Sequence, residues 1–176
     1  MEGKPVPQEI YRCIFVFAPH TSNWDWYLGT LFMYSKGLPM KVAIKKFWLK
    51  FPFGILIKPL GGVAIDRATQ IKGKSLTQVQ NLAGLFKRYE KISFVITPEG
   101  SRSKRKRWKT GFYHIAREAQ VPIVILKCDF QKRCVSFGPV LDSNEGIDQV
   151  MRSMMEFYSD AVAVFPEKFS LDERYI

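Results

Sequence analysis

The stretch that decides the fold runs Arg12-Cys13-Ile14-Phe15-Val16-Phe17-Ala18-Pro19-His20-Thr21-Ser22-Asn23-Trp24-Asp25 and continues to Ser35. Arg12 to Ala18 is a compact, β-rich apolar run, which reads as a buried strand. Asn23 to Ser35 is aromatic and apolar with little β-branching, which suits a helix. Between them Pro19 breaks the strand, and Thr21, Ser22 and Asn23 are residues that cap a helix start. The stretch is therefore a strand, a tight turn and a helix.

Working outward, the same alternation recurs. Lys41 to Ile44 and Val63 to Ile65 are short strand candidates, and Ile92 to Ile96 is a third. Leu76 to Tyr89 sets Val79, Leu82, Ala83 and Phe86 on one stripe of an amphipathic helix. Thr110 to Ala119 predicts a short helix. Pro122 to Phe130 and Cys134 to Phe137 predict a hairpin around Gln131-Lys132-Arg133. Ile147, Val150, Met151, Met154, Met155 and Tyr158 mark a second long amphipathic helix. The pattern predicts an α/β fold: a mixed, mostly parallel twisted sheet flanked by helices, with a C-terminal antiparallel hairpin and helix. With 176 residues and no internal repeat or long linker, residues 1–176 form one domain.

Composition narrows the function. Apolar residues make up 47% and charged residues 24%, which argues against disorder. Three cysteines with no CxxC pair make no disulfide scaffold and fit a reducing compartment. Lys and Arg number 27 against 16 Asp and Glu, a net charge of +11 that favours an anionic partner such as nucleic acid, anionic lipid or a phosphorylated substrate. Aromatic residues at 14% suit a membrane surface at least as well as nucleic acid. Charges interrupt every apolar stretch, so no membrane-spanning helix is expected. MEGKPVPQEI lacks the apolar core of a signal peptide. Composition alone does not choose among these partners; a cytoplasmic location fits, and if lipid is the partner the protein lies on the membrane, peripheral at its inner face, rather than crossing it.

Candidate chemistry gathers at strand ends, where open α/β sheets place their sites. His20 follows the first strand, and Asp25 lies five residues on. On an ideal helix the two side chains would point about 140° apart, so they meet only if a turn separates them. A carboxylate beside an imidazole fixes its tautomer and raises its basicity. Such a pair, with no protein nucleophile, suits deprotonation of a bound hydroxyl. The competing reading is a histidine that merely caps its own turn. No G-x-S-x-G elbow, HExxH, zinc cluster, Walker A or dinucleotide fingerprint is present, so neither a metal nor a nucleotide cofactor is indicated. Gly61-Gly62-Val63-Ala64-Ile65-Asp66-Arg67 and Ile96-Thr97-Pro98-Glu99-Gly100-Ser101-Arg102 also end strands with charges. Arg suits bidentate phosphate binding, though each segment equally fits a structural acid–arginine pair. Arg102 to Lys109, RSKRKRWK, reads as a solvated loop, a nucleic-acid patch or a contact with an anionic membrane. Phe47 to Ile57 offers aromatic wedges beside lysines, or simple core burial. His114 is given no role.

Taken in order, these pieces resemble the glycerolipid acyltransferases, the family that contains lysophosphatidate acyltransferase. His20 and Asp25 match its HxxxxD block, with Ser22 where the family has serine. Gly61, Ile65, Asp66 and Arg67 match the second block. Glu99-Gly100-Ser101-Arg102 matches the third, with Ser101 for threonine, and Val121-Pro122-Ile123-Val124 the fourth. Pro19 departs from a frequent asparagine, Ala64 from a bulky residue and Ile125 from a second proline. The resemblance covers about Arg12 to Leu126.

It implies an O-acyltransferase in which His20 is the general base on a lysophospholipid-like hydroxyl and Asp25 its partner. The acyl donor would be a thioester of coenzyme A or acyl carrier protein, with no cofactor. Arg67, Glu99, Gly100, Ser101 and Arg102 would bind the acceptor, with Lys45 and Lys109 as further phosphate candidates. An anionic membrane surface is the implied partner. A basic nucleic-acid-binding module and a non-catalytic phospholipid-binding relative are the alternatives.

Overall fold

The computed structural model describes residues 8–38, 40–45, 50–51, 54–57, 62–65, 70–71, 74–75 and 78–176. A short 3-10 turn, Gln8–Tyr11, leads into β1, Ile14–Ala18, and the Ala18–Pro19 bond is cis. Next come α1 (Asn23–Ser35), β2 (Met40–Lys45), the single-turn α2 (Gly54–Ile57) and β3 (Gly62–Ile65). A small antiparallel pair, β4 (Gln70–Ile71) and β5 (Lys74–Ser75), precedes α3 (Gln78–Arg88) and β6 (Ser93–Ile96). The chain ends with α4 (Gly111–Ala119), β7 (Ile123–Asp129), β8 (Cys134–Leu141) and α5 (Ile147–Tyr158).

Six strands form one sheet in the order β3-β2-β6-β1-β7-β8. β1 lies in the middle, parallel to β6 on one side and β7 on the other, and β2 runs parallel to both β6 and β3. Only β8 runs antiparallel, as the partner of β7. This is the mostly parallel sheet with a late hairpin that the alternation of strands and helices predicts. Two details differ. The β4–β5 pair is absent from the sequence reading, and β8 continues past Phe137 to Leu141. Gly138 and Pro139 resemble strand breakers, but β8 is an edge strand, where a missing N–H costs no ladder bond. Gly138 is required there, because a Cβ would approach Ile125 to 2.5 Å and Phe157 to 2.8 Å.

The strict alternation of β1 divides the core in two. Ile14, Val16 and Ala18 face one side, packed with Leu82 and Phe86 of α3, Phe112 and Ala116 of α4, and Met151 and Met154 of α5. Cys13, Phe15 and Phe17 face the other, with Met33 of α1 and Val124 and Leu126 of β7. All six β1-segment side chains are buried, as a central parallel strand demands. The three cysteines are unpaired thiols. Among the described residues no helix is long and apolar enough to cross a membrane.

Candidate active site

The carboxyl ends of β1 and β6 lie side by side, so the residues that follow them share one edge of the sheet. His20 leaves β1 after Pro19, and Glu99 leaves β6 after Thr97 and Pro98. The turn that follows His20 is a capping box. Ser22 is the N-cap of α1, and its hydroxyl accepts the Trp24 N–H at 3.1 Å. Asp25, three residues on, reaches back: its Oδ2 accepts the N–H groups of Thr21 at 2.5 Å and Ser22 at 2.7 Å, and its Oδ1 accepts the Ser22 hydroxyl at 3.2 Å. Those donors would otherwise be left unpaired at the helix start. They also fix the carboxylate, which is 1% exposed.

His20 thus sits in the turn and Asp25 in the first helical turn, the arrangement their spacing requires. Nδ1 of His20 lies 3.7 Å from Oδ2 of Asp25, longer than a hydrogen bond and an ion pair only when the imidazole is protonated. That nitrogen is buried and has no hydrogen-bond partner among the described residues. Burial pulls His20 below its ordinary pKa; Asp25 pushes it up and Arg102 pushes it further down. The lowering favours the neutral imidazole, the form that accepts a proton.

Glu99 sits behind His20 at the end of β6. It is 5% exposed, and both its carboxyl oxygens accept the backbone N–H of His20, at 2.9 and 3.2 Å. Burial raises it to about 8, with Asp25 pushing the same way and the His20 N–H opposing. Glu99 is thus a positioning residue beneath His20. Gly100 has φ +66, a left-handed turn that favours glycine. A Cβ there would come within 2.8–2.9 Å of the Lys109 side chain, which lies across the glycine.

The loop from Ser101 to Lys109 is closed at its base, where the Lys109 N–H donates to the Pro98 carbonyl at 2.7 Å. Arg102 is exposed and donates to Asn23 at the start of α1 at 2.5 Å. The Ser101 hydroxyl is engaged inside the loop, accepting from Arg105 at 3.0 Å and donating to the Ser103 carbonyl at 3.3 Å. The C-terminal segment straps the far side. Buried Asp172 accepts the Trp108 N–H at 2.8 Å and the Arg174 guanidinium at 2.7 Å, and the Trp108 indole donates to the Ser170 carbonyl. The basic run is therefore an ordered loop with solvated cations, held by residues more than sixty positions away. Nothing in the local pattern of Asp172 signals that role. Tyr158, read from the sequence only as a core-facing residue of α5, is a second support: its hydroxyl donates to the carbonyls of Val16 and Leu126.

The structure thus brings His20, Asp25, Glu99, Gly100, Arg102 and Lys109 to one edge, with Ser101 in the adjoining loop. Lys45 is the last residue of β2, at the same edge by topology; its side chain lies outside the described residues. Arg67 and residues 47–49 and 52–53 of the Phe47 to Ile57 stretch also lie outside them; Phe51 and Ile55 are described, and both are exposed. Among the described residues no group of His, Cys, Asp or Glu could hold a metal ion.

The acyltransferase family model matches residues 4–128, and the chain belongs to that family. It is also 29% identical over 132 residues to the 1-acyl-sn-glycerol-3-phosphate acyltransferase of Haemophilus influenzae, a match covering 70% of this chain. The matched region spans 51% of that relative.

Proposed function

We propose that the protein is an O-acyltransferase that moves a fatty acyl group from a thioester to the hydroxyl of a lysophospholipid, of the 1-acylglycerol-3-phosphate type. The observation that carries the reading is the placement of the His20 imidazole, held by its backbone on Glu99 with its buried Nδ1 against the fixed Asp25 carboxylate. That leaves Nε2 to meet the acceptor. It takes the hydroxyl proton as the oxygen attacks the thioester carbonyl. Asp25 stabilises the imidazolium that forms, without taking its proton. When the tetrahedral intermediate collapses, the carbon–sulfur bond breaks, the ester bond remains, and the departing thiolate receives the proton from His20. No acyl-enzyme is needed.

Arg102 and Lys109 supply positive charge beside His20 for an acceptor phosphate, with Arg67 and Lys45 as further contributors. Coenzyme A and an acyl carrier protein are both anionic donors that a +11 chain suits. The working location is the inner face of a membrane, where lysophospholipid is found.

The test is thiol release from acyl-coenzyme A and from acyl carrier protein thioesters, with and without lysophosphatidate, for wild type and His20→Ala. Acceptor-dependent release should fall by about 10²–10⁴ in the variant. Release that persists in His20→Ala removes the proposed base.

A further inference from the structure

We infer that the outward face of α1 is the surface on which the protein docks to an anionic lipid bilayer. The helix is apolar on two sides. Met33 points into the core, while Trp24, Tyr27, Leu28 and Leu31 are exposed, Trp24 at 66% and Leu31 at 64%. Spacings of three, one and three place those four on one stripe of the helix. The aromatic pair Trp24–Tyr27, with ring centroids 6.1 Å apart, stands at the end next to His20, and the aliphatic pair lies beyond it.

A cation stands at each end of the helix. Arg102 is bonded to Asn23 at the first turn, and Lys36 follows the last turn with its ammonium 5.8 Å above the Phe32 ring. Along its flank α1 forms one wall of a groove of about 640 Å³, with Leu28, Leu31 and Phe32 on one side and Phe130 and Arg133 of the β7–β8 turn and Cys134 of β8 on the other. The single acid of α1, Asp25, is buried in the cap. An aliphatic stripe with aromatic residues at one end and cations at its margins matches the boundary between acyl chains and anionic headgroups. A nucleic acid would engage the cations but not the leucines. At 13 residues the helix is about 20 Å long, too short to span a bilayer and suited to lying in its surface. Docked this way, the His20 end of the helix meets the headgroup layer, where a lysophospholipid presents its hydroxyl.

The inference rests on the proposed reading only for the lipid nature of the acceptor, and binding is measured apart from turnover. The full chain is sedimented with vesicles of phosphatidylcholine, and of phosphatidylcholine with one quarter phosphatidylglycerol, for wild type, Leu31→Glu and Lys36→Glu. Wild type should bind the anionic vesicles and bind the neutral ones more weakly. Leu31→Glu should lower binding by at least about tenfold, and Lys36→Glu by less. Both positions are exposed and outside the site, so thiol release with a dissolved, monomeric acceptor should be unchanged, which shows that the variants are folded. Wild type that ignores anionic vesicles, or Leu31→Glu that binds as wild type does, overturns the inference. So does a wild-type dimer in light scattering that Leu31→Glu dissociates, because the stripe would then cover a second copy. Vesicle binding without turnover overturns the proposed reaction and leaves the docking surface standing.

Discussion

Two helices of this molecule use their apolar residues in opposite ways. In α5 the apolar set Val150, Met151, Met154, Met155 and Tyr158 is buried in the core, and Arg152 and Glu156 face water. In α1 the core takes Met33, while Trp24, Tyr27, Leu28, Leu31 and Tyr34 stay exposed. A helix serving only the fold looks like α5, because exposing a large apolar side chain forfeits about 1.5–3 kcal/mol of burial. α1 begins at the candidate active site, and its apolar surplus lies beside that site. Where a sequence places apolar residues that packing does not use, the surplus points to an interaction.

The largest effect should come from the helix that serves only the core. Met154 is fully buried, and Met154→Ala should lower the unfolding free energy by about 2–5 kcal/mol, read by urea denaturation. Thiol release per folded molecule should not change. A variant with normal stability would break the comparison from the α5 side.

The next effect concerns the root of α1, where Glu99 holds His20. A carboxyl whose folded pKa stands near 8 binds its proton more tightly in the folded state than in the unfolded one, where it titrates near 4.5. Its contribution to stability is complete below about pH 4.5 and is lost as the pH rises through about 8. Glu99→Gln keeps an acceptor for the His20 N–H and removes the titration. The variant should therefore gain stability relative to wild type between pH 5 and pH 8, by on the order of 2 kcal/mol. Parallel urea curves at the two pH values would show that Glu99 does not titrate with folding. Because Gln retains the bond to His20, thiol release at pH 6 should stay close to wild type.

A smaller loss is expected at the cap. Ser22→Ala removes the acceptor of the Trp24 N–H and the hydroxyl bonded to Asp25, which should cost about 1 kcal/mol. It should also lower thiol release, because Asp25 loses one of the donors that fix it against His20. Lost stability with unchanged turnover would separate the cap from the chemistry.

How far all this can be read without coordinates depends on the range of the interaction concerned. β1 and α1 are legible because an apolar run, a proline and a cap sequence are local signals, and the expected α1 matches the observed Asn23–Ser35. The His20–Asp25 proximity follows from the same local turn. β8 is longer than its sequence suggests because edge position, a tertiary fact, licenses Pro139. The resemblance implies an acceptor role for Glu99, but its motif says nothing of the backbone N–H 79 residues away that it also binds. Asp172 and Tyr158 support the site through bonds spanning 64 and 142 residues; no periodicity marks Asp172, and the α5 stripe marks Tyr158 as core without revealing what its hydroxyl binds. Local patterns thus place the chemical groups, and long-range packing decides what holds them.

The smallest expected effect is the one that tests the comparison most directly. Leu31 is a large apolar residue in the middle of a helix, and by type alone Leu31→Ala looks as damaging as Met154→Ala. In the structure Leu31 is 64% exposed, so little burial is lost, and Ala has the higher helix propensity. The two terms nearly cancel, and the unfolding free energy should stay within about 0.5 kcal/mol of wild type. Vesicle binding should nevertheless weaken, because the removed methyl groups are those offered to the bilayer. A stability loss above about 1 kcal/mol would mean that protein already packs against the outward stripe, and α1 would then be a core helix of the same kind as α5. Unchanged stability with weakened vesicle binding is the combination that only a docking face produces.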